Sequence, residues 1–314
     1  MRGFEPLAKG DKVELVMPSS ACTEEEYNNC VEYIHQLGLV AKYRKYSELV
    51  SQEEILYSNT PLYRADHLYD ALTANDSKAV WDVKGGYGSA KLLASLKARK
   101  KPDKAKLFIG FSDATILLNF LVNNWQIACI HGPLLFQLPA KVTEESAEII
   151  KEIIFGKVRQ IEIAGLEVLN TTARNYTGNI SSSIIGGCLS LVQSLIGTDE
   201  FPQVKGKILF LEDIGEAGAR IDRMLDHLSR VGVFDKLKAV LLGNFMESNS
   251  SGSPKAIEVN KAISNLANLL DEKNIPLLQS LRLGHTKDIV PLPFGTKAIL
   301  TLGKQPKLQV ATGI

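Results

Sequence analysis

Short apolar runs alternate with helical patterns through the first half of the chain. Val13-Glu14-Leu15-Val16-Met17 reads as a strand that stops at Pro18-Ser19-Ser20, and the stretch from Glu24 to Leu37 follows as a helix. The alternation continues with Leu62 to Leu72 as helix, Ala79-Val80-Trp81-Asp82-Val83 as strand and Ala90 to Leu96 as helix. Leu107-Phe108-Ile109 is then a strand, and Ala114 to Trp125 a helix. Strands separated by helices imply right-handed crossovers and a mostly parallel sheet. The expected fold class is therefore α/β, with an N-terminal sheet of Rossmann or flavodoxin type flanked by helices. Ligands gather at the carboxyl ends of the strands in such sheets.

From about Gln137 the pattern loosens, and Val142 to Phe155 reads as one amphipathic helix leading to a second region. The expected division is an N-terminal α/β domain over 1–138, a linker with its helix over 139–165 and a C-terminal domain over 166–314. The second region has strands at Ile208-Leu209-Phe210-Leu211 and Ala239-Val240-Leu241-Leu242, and closes on β-like pieces at Ala298–Thr301 and Leu308–Val310. Ile221, Met224, Leu225, Leu228 and Val231 share one helical face, which is a core face. Glu247 to Pro254 reads as a polar loop. No internal repeat is visible.

Composition narrows the class. Hydrophobic residues make up 45% and charged residues 23% of 314, an ordinary globular mixture with enough apolar mass for two cores. Lys and Arg number 36 against 35 acidic residues, so no net field gathers nucleic acid or anionic lipid. A small neutral or zwitterionic ligand suits this balance. Cys22, Cys30, Cys129 and Cys188 lack both CxxC spacing and the density of a secreted scaffold, so four reduced, buried thiols are expected. The first residues lack an apolar export segment and no run of eighteen apolar residues occurs, so a cytoplasmic location is expected.

The sharpest chemical signal is Gly110-Phe111-Ser112-Asp113-Ala114, where an apolar run stops and a helical run begins. A tight strand-to-helix turn there presents the Ser112 hydroxyl as a nucleophile and leaves the Asp113 N–H to face an oxyanion. The local sequence equally permits Ser112 to cap the following helix. Lys84-Gly85-Gly86-Tyr87-Gly88 also follows a strand and opens a helix. It has neither dinucleotide-binding spacing nor a Walker lysine, so a second oxyanion donor from Gly86 fits it better, with a tight βα turn as the plain alternative.

Among five histidines, His35, His67 and His227 lie in helical patterns where surface positions are expected. His131 closes an apolar run and suits either a sheet edge or a structural role. His285 sits in an irregular Gly- and Pro-bounded stretch with little packing reason for an imidazole, which makes it the candidate base. A histidine base needs a carboxylate to fix its tautomer. Glu212, ending a hydrophobic strand, is preferred over Asp213 and Glu216 because a strand end orients a group better than a glycine-containing loop. No H-E-x-x-H occurs and no two histidines are close in sequence, so local motifs point to no metal and no cofactor, with convergence of ligands remote in sequence left open.

The ordered set Pro18-Ser19-Ser20, Lys84-Gly85-Gly86-Tyr87-Gly88, Gly110-Phe111-Ser112-Asp113, His131-Gly132-Pro133, Gly186-Gly187, Leu211-Glu212-Asp213 and Leu283-Gly284-His285 resembles the LD-carboxypeptidase family along almost the whole chain. The resemblance implies a Ser112–Glu212–His285 triad, with the nucleophile on the α/β domain and the other two on a smaller β-rich C-terminal domain. It further implies a cytoplasmic, often homodimeric serine peptidase that removes terminal D-alanine from murein tetrapeptides, with muropeptide as its small partner. A related branch, the microcin immunity peptidases, cleaves an aminoacyl-nucleotide analogue. A muropeptide-binding module without catalysis is the non-enzymatic alternative. Substrate contacts are expected at Lys84, opposite a terminal carboxylate, and at Tyr87. Three positions depart from the family pattern: Lys84 stands for the usual arginine, Cys188 for the asparagine after Gly186-Gly187, and Ala217-Gly218-Ala219 for an aromatic after Glu216.

Overall fold

The computed structural model describes residues 1–245 and 253–314. The strands of the first half are β1 Lys12–Val16, β2 Val40–Lys42, β3 Ala79–Asp82, β4 Leu107–Gly110 and β5 Cys129–His131. Those that follow are β6 Gln160–Ala164, β7 Glu167–Val168, β8 Gly178–Ser182, β9 Ile184–Cys188, β10 Ile208–Glu212, β11 Ala239–Asn244 and β12 Leu277–Gly284. The chain closes with β13 Leu292–Phe294, β14 Ala298–Leu302 and β15 Lys307–Ala311. The first helices are α1 Glu24–Gln36, α2 Tyr46–Leu49, α3 Pro61–Thr73, α4 Leu93–Lys97, α5 Thr115–Phe120 and α6 Glu144–Ile154. The later ones are α7 Thr171–Asn175, α8 Leu189–Ser194, α9 Gly218–Arg230 and α10 Pro254–Glu272.

One compact unit takes Met1–Arg159, Pro291–Gly295 and Thr312–Ile314. Its sheet has the order β13-β5-β4-β3-β1-β2, parallel except for β13, which returns antiparallel to β5. Every residue of β3 and β4 is buried, because helices cover both faces of a parallel sheet and leave no wet side for a polar alternation. The helix starts are written locally. Thr23 and Glu26 form a reciprocal capping box at α1, and Thr60 caps α3 ahead of Pro61.

The second unit, Gln160–Val290 with Thr296–Ala311, holds two sheets. One has the order β7-β12-β11-β10-β9 and is parallel apart from β7; the other, β6-β15-β14-β8, is antiparallel throughout. In β14 and β15 burial alternates residue by residue, the mark of a sheet with one face in water. Leu209, Leu211, Val240 and Leu242 pack with Ile221 and Leu225 of α9 and Val259, Leu266 and Leu270 of α10. Each such side chain contributes about 1.5–3 kcal/mol by leaving water.

The structure departs from the sequence reading in several places. The helix expected as a linker, α6, belongs to the first unit, where the Leu7 N–H donates to the Ile154 carbonyl and Ile150, Ile153 and Ile154 are buried. The C-terminal region has the strands expected of a β-rich part, in two sheets, and adds the long helices α9 and α10. Val231 is 48% exposed because α9 ends one residue before it and the chain turns off the packed face. The helix expected from Ala114 begins as a 3₁₀ turn at Ser112–Ala114 and finishes as a π turn at Leu121–Trp125. His67, expected on the surface, is buried, and that burial drives its imidazole down to about 4. Of the expected Glu247–Pro254 loop, 247–252 lie outside the described residues, while Ser253 caps α10 and Pro254 is its first residue.

Candidate active site

Ser112 stands where β4 ends, with φ 57. A side chain in this left-handed region costs about 1–2 kcal/mol, so the surrounding structure must hold it there. Asp113 does much of the holding. Its Oδ2 accepts the Ser19 hydroxyl at 2.7 Å and the Ser89 N–H at 2.8 Å, and its carbonyl accepts the Ser89 hydroxyl at 2.6 Å. The turn is thereby tied to the loop after β1 and to the turn after the glycine loop. Burial raises the Asp113 carboxyl above its ordinary range, against the pull of those same hydrogen bonds.

The glycine loop comes close to the serine. A Cβ on Gly85 would sit 3.0 Å from Ser112 Cβ and 3.3 Å from Ser112 Oγ, whereas one on Gly86, at φ +109, would strike the Ser20 side chain. Arg64 is buried against this loop. One of its terminal nitrogens donates to the carbonyls of Pro18 and Gly88, and its guanidinium lies over Tyr57. Asp82, at the end of β3, accepts the Lys84 N–H at 3.1 Å, and complete burial pushes its carboxyl well up. Lys84 itself faces Glu26 at 3.4 Å and lies 4.6 Å from the centre of the Phe136 ring. Tyr87 is 51% exposed and stacks on Tyr57. His131 is buried between Phe111 and Phe294.

In the second unit, Glu212 ends β10, wholly buried, and His285 follows directly on β12. His285 Nδ1 lies 2.7 Å from Glu212 Oε2, which also accepts the His285 backbone N–H at 3.2 Å. A carboxylate only accepts, so Nδ1 carries the proton and Nε2 keeps its lone pair. Burial pulls the imidazole pKa down, but the Glu212 charge and hydrogen bond, with Asp213 behind them, outweigh it and leave a net rise. The two rival acids are engaged elsewhere. Asp213 accepts the N–H groups of Ser190 and Ile214, and Glu216 pairs with Arg220 at 3.0 Å.

The structure thus brings Glu212 to His285 in one unit, and Gly85 and Asp113 to Ser112 in the other. Two participants escaped the sequence reading. Gly85, next to the expected Gly86, is the glycine whose missing side chain makes room for Ser112. Cys188, noted only as a departure, places its thiol 2.9 Å from Glu212 Oε1, because β9 and β10 pair Cys188 with Glu212. The four cysteines are buried and none is joined in a disulfide, in line with the expected reduced thiols.

Comparisons with known proteins agree on one family. The model of the LD-carboxypeptidase N-terminal domain matches residues 13–132, and that of the C-terminal domain matches 181–300. A Rickettsia conorii protein assigned as a carboxypeptidase is 35% identical over 247 residues, 78% of this chain and 75% of its own. The murein tetrapeptide carboxypeptidase of Pseudomonas aeruginosa is 26% identical over 304 residues, 92% of each chain. The microcin C7 self-immunity protein of Escherichia coli is 25% identical over 327 residues, 93% of this chain and 91% of its own. Among solved structures, muramoyltetrapeptide carboxypeptidase from Oxalobacter formigenes superposes with a TM-score of 0.78 at 24% identity, covering 95% of this chain and 99% of that one. With both domain models matched and a relative above 30% identity over most of its length, the chain belongs to the LD-carboxypeptidase family.

Proposed function

We propose that the protein is a serine carboxypeptidase that releases terminal D-alanine from murein tetrapeptides, with Ser112 as nucleophile, His285 as base and Glu212 as the acid that orients it. The observation that carries this reading is the left-handed backbone of Ser112 at a strand-to-helix turn. Strain of that kind is kept where a hydroxyl must be presented. His285 Nε2 takes the Ser112 proton as Oγ attacks the carbonyl before D-alanine. The N–H groups of Gly86 and Asp113 receive the oxyanion, and Glu212 stabilises the imidazolium that forms. His285 then gives the proton to the departing amine. Water, deprotonated by the same imidazole, cleaves the acyl-enzyme and restores Ser112.

Lys84 and Tyr87 are proposed to meet the substrate, Lys84 through its terminal carboxylate. A cytoplasmic location and homodimeric assembly belong to the same reading. They are tested by cell fractionation and by the mass of the protein in solution. The decisive assay compares wild type and Ser112→Ala on murein tetrapeptide. D-alanine release by the first and not the second is expected, with covalent labelling of Ser112 by a fluorophosphonate. Hydrolysis of an aminoacyl sulfamoyl adenosine alone would transfer the protein to the microcin branch. Binding of muropeptide without labelling or turnover would make it a binding module.

A further inference from the structure

Three strands of the five-stranded sheet in the second unit end close together, and each leads to a side chain of a type that can ligate a metal ion. Cys188 closes β9, Glu212 closes β10 in register with it, and His285 follows β12. Strand β11 runs between β10 and β12, and beside Glu212 it presents no side chain, while its last residue, Asn244, donates its amide to the His285 carbonyl at 3.1 Å. Its residue beyond the Leu211–Leu242 pair is Gly243, where a Cβ would strike Glu212 Cβ at 2.8 Å. Gly284 leaves the same freedom on β12. In consequence Cys188 Sγ, a Glu212 oxygen and a His285 ring nitrogen all lie within 4.8 Å of one another.

We infer that this trio is a site for a thiophilic divalent cation of the zinc class, and that an ion bound there switches the base off. Sulfur, imidazole nitrogen and carboxylate oxygen form the donor set zinc selects, with bonds of about 2.0–2.3 Å. Tetrahedral bonds of that length hold ligand atoms roughly 3.2–3.8 Å apart, so side-chain shifts of about an ångström suffice. Magnesium and calcium, which take oxygen ligands, are selected against by the thiol. The His285 side chain is 16% exposed whereas Cys188 and Glu212 are buried, so an ion would enter past the imidazole.

The exchange balances. The Cys188 S–H bond breaks, its proton goes to solvent, and the sulfur lone pair forms a bond to the ion. The imidazole stays neutral but changes tautomer: Nδ1 gives up its proton to coordinate, and Nε2 gains one. A dication with a thiolate and a carboxylate sums to zero, where thiol and carboxylate left one buried negative charge. With Nδ1 on the ion and Nε2 protonated, the ring has no lone pair with which to accept the serine proton.

The effect on turnover rests on the proposed peptidase reading; ion binding does not. Binding is therefore measured on the Ser112→Ala protein with cadmium as probe. One ion per chain is expected, with a sulfur-to-cadmium charge-transfer band. The other three thiols lie in the first unit, so the band should vanish in Ser112→Ala/Cys188→Ser and weaken in Ser112→Ala/His285→Ala. No band, or one that survives Cys188→Ser, overturns the site. If the serine variant melts at low temperature, the histidine variant alone decides: an unchanged band and affinity also overturn it.

In wild type, zinc at ten times its dissociation constant should cut D-alanine release roughly tenfold, and a chelator should restore it. Cys188→Ser, scaled to its own metal-free rate, should lose the sensitivity. Ion binding that leaves turnover unchanged overturns the switch. Cadmium binding to a protein that never releases D-alanine overturns the peptidase reading and leaves the site standing.

Discussion

A single oxygen, Oε2 of Glu212, receives both the ring Nδ1–H of His285 at 2.7 Å and its backbone N–H at 3.2 Å. The acid therefore fixes the residue and its ring together, and the tautomer with it. Three strand ends make this possible, since Gly243 and Gly284 both leave the space that Glu212 fills.

That pair sets the pH dependence. The base works when neutral and its pKa is raised, so kcat/KM should climb with pH along a limb centred above the ordinary imidazole value of about 6.5. Glu212→Gln removes the charge and keeps the burial, so the limb should move to lower pH while turnover falls by about 10³–10⁴. A kcat/KM profile of both proteins checks this. A raised folded-state value also means that the pair stabilises the fold most below about pH 6.5 and loses that contribution as pH rises through the folded value.

Ser112 carries a backbone penalty that its replacement can reveal. Ser112→Ala and Ser112→Gly should both abolish turnover, yet the glycine protein should be more stable by about 1 kcal/mol, because glycine adopts φ 57 without a Cβ clash. Urea unfolding of the two variants measures the difference. Equal midpoints would show that the turn holds no strain.

At Gly284 an added methyl would meet Glu212 Oε2 at 2.6 Å and Cβ at 2.8 Å, on a backbone at φ +91. Gly284→Ala should therefore cost about 1–3 kcal/mol and push the carboxylate away from the imidazole. The expected signature is a lowered Tm together with a downward shift of the pH limb. Loss of stability with an unmoved limb would mean that the strand gives way and Glu212 does not.

Gly85 has no left-handed φ, so alanine there is strained only by its neighbours, Ser112 and Leu134 Cδ1. Gly85→Ala should leave the Tm nearly unchanged and lower kcat about 10²-fold by displacing Oγ. The rate of fluorophosphonate labelling should fall in parallel. A Gly86→Ala protein, whose methyl meets Ser20, should be distinguishable by an additional loss of stability.

Local order along the chain determines much of this protein. The period of the apolar runs located most strands and helices, because burying a helix or a covered strand imposes that spacing on the sequence. The turn at Gly110–Ala114 marked Ser112 for the same reason, since strand, tight turn and helix are contiguous in the chain. For the acid, that logic favours Glu212 over Asp213 and Glu216 as the residue that ends a strand, but it does not bring any of them to the imidazole. All three lie within five residues, and what separates them is which one faces β12, a matter of strand order and of the missing side chains at Gly243 and Gly284. Cys188 is the plainest case. Its thiol lies 24 residues before Glu212, and only the parallel register of β9 and β10 puts sulfur against carboxylate. Sequence period reports which face of an element is dry. The identity of the residues that meet on that face is decided by how distant strands pair, and no local pattern encodes it.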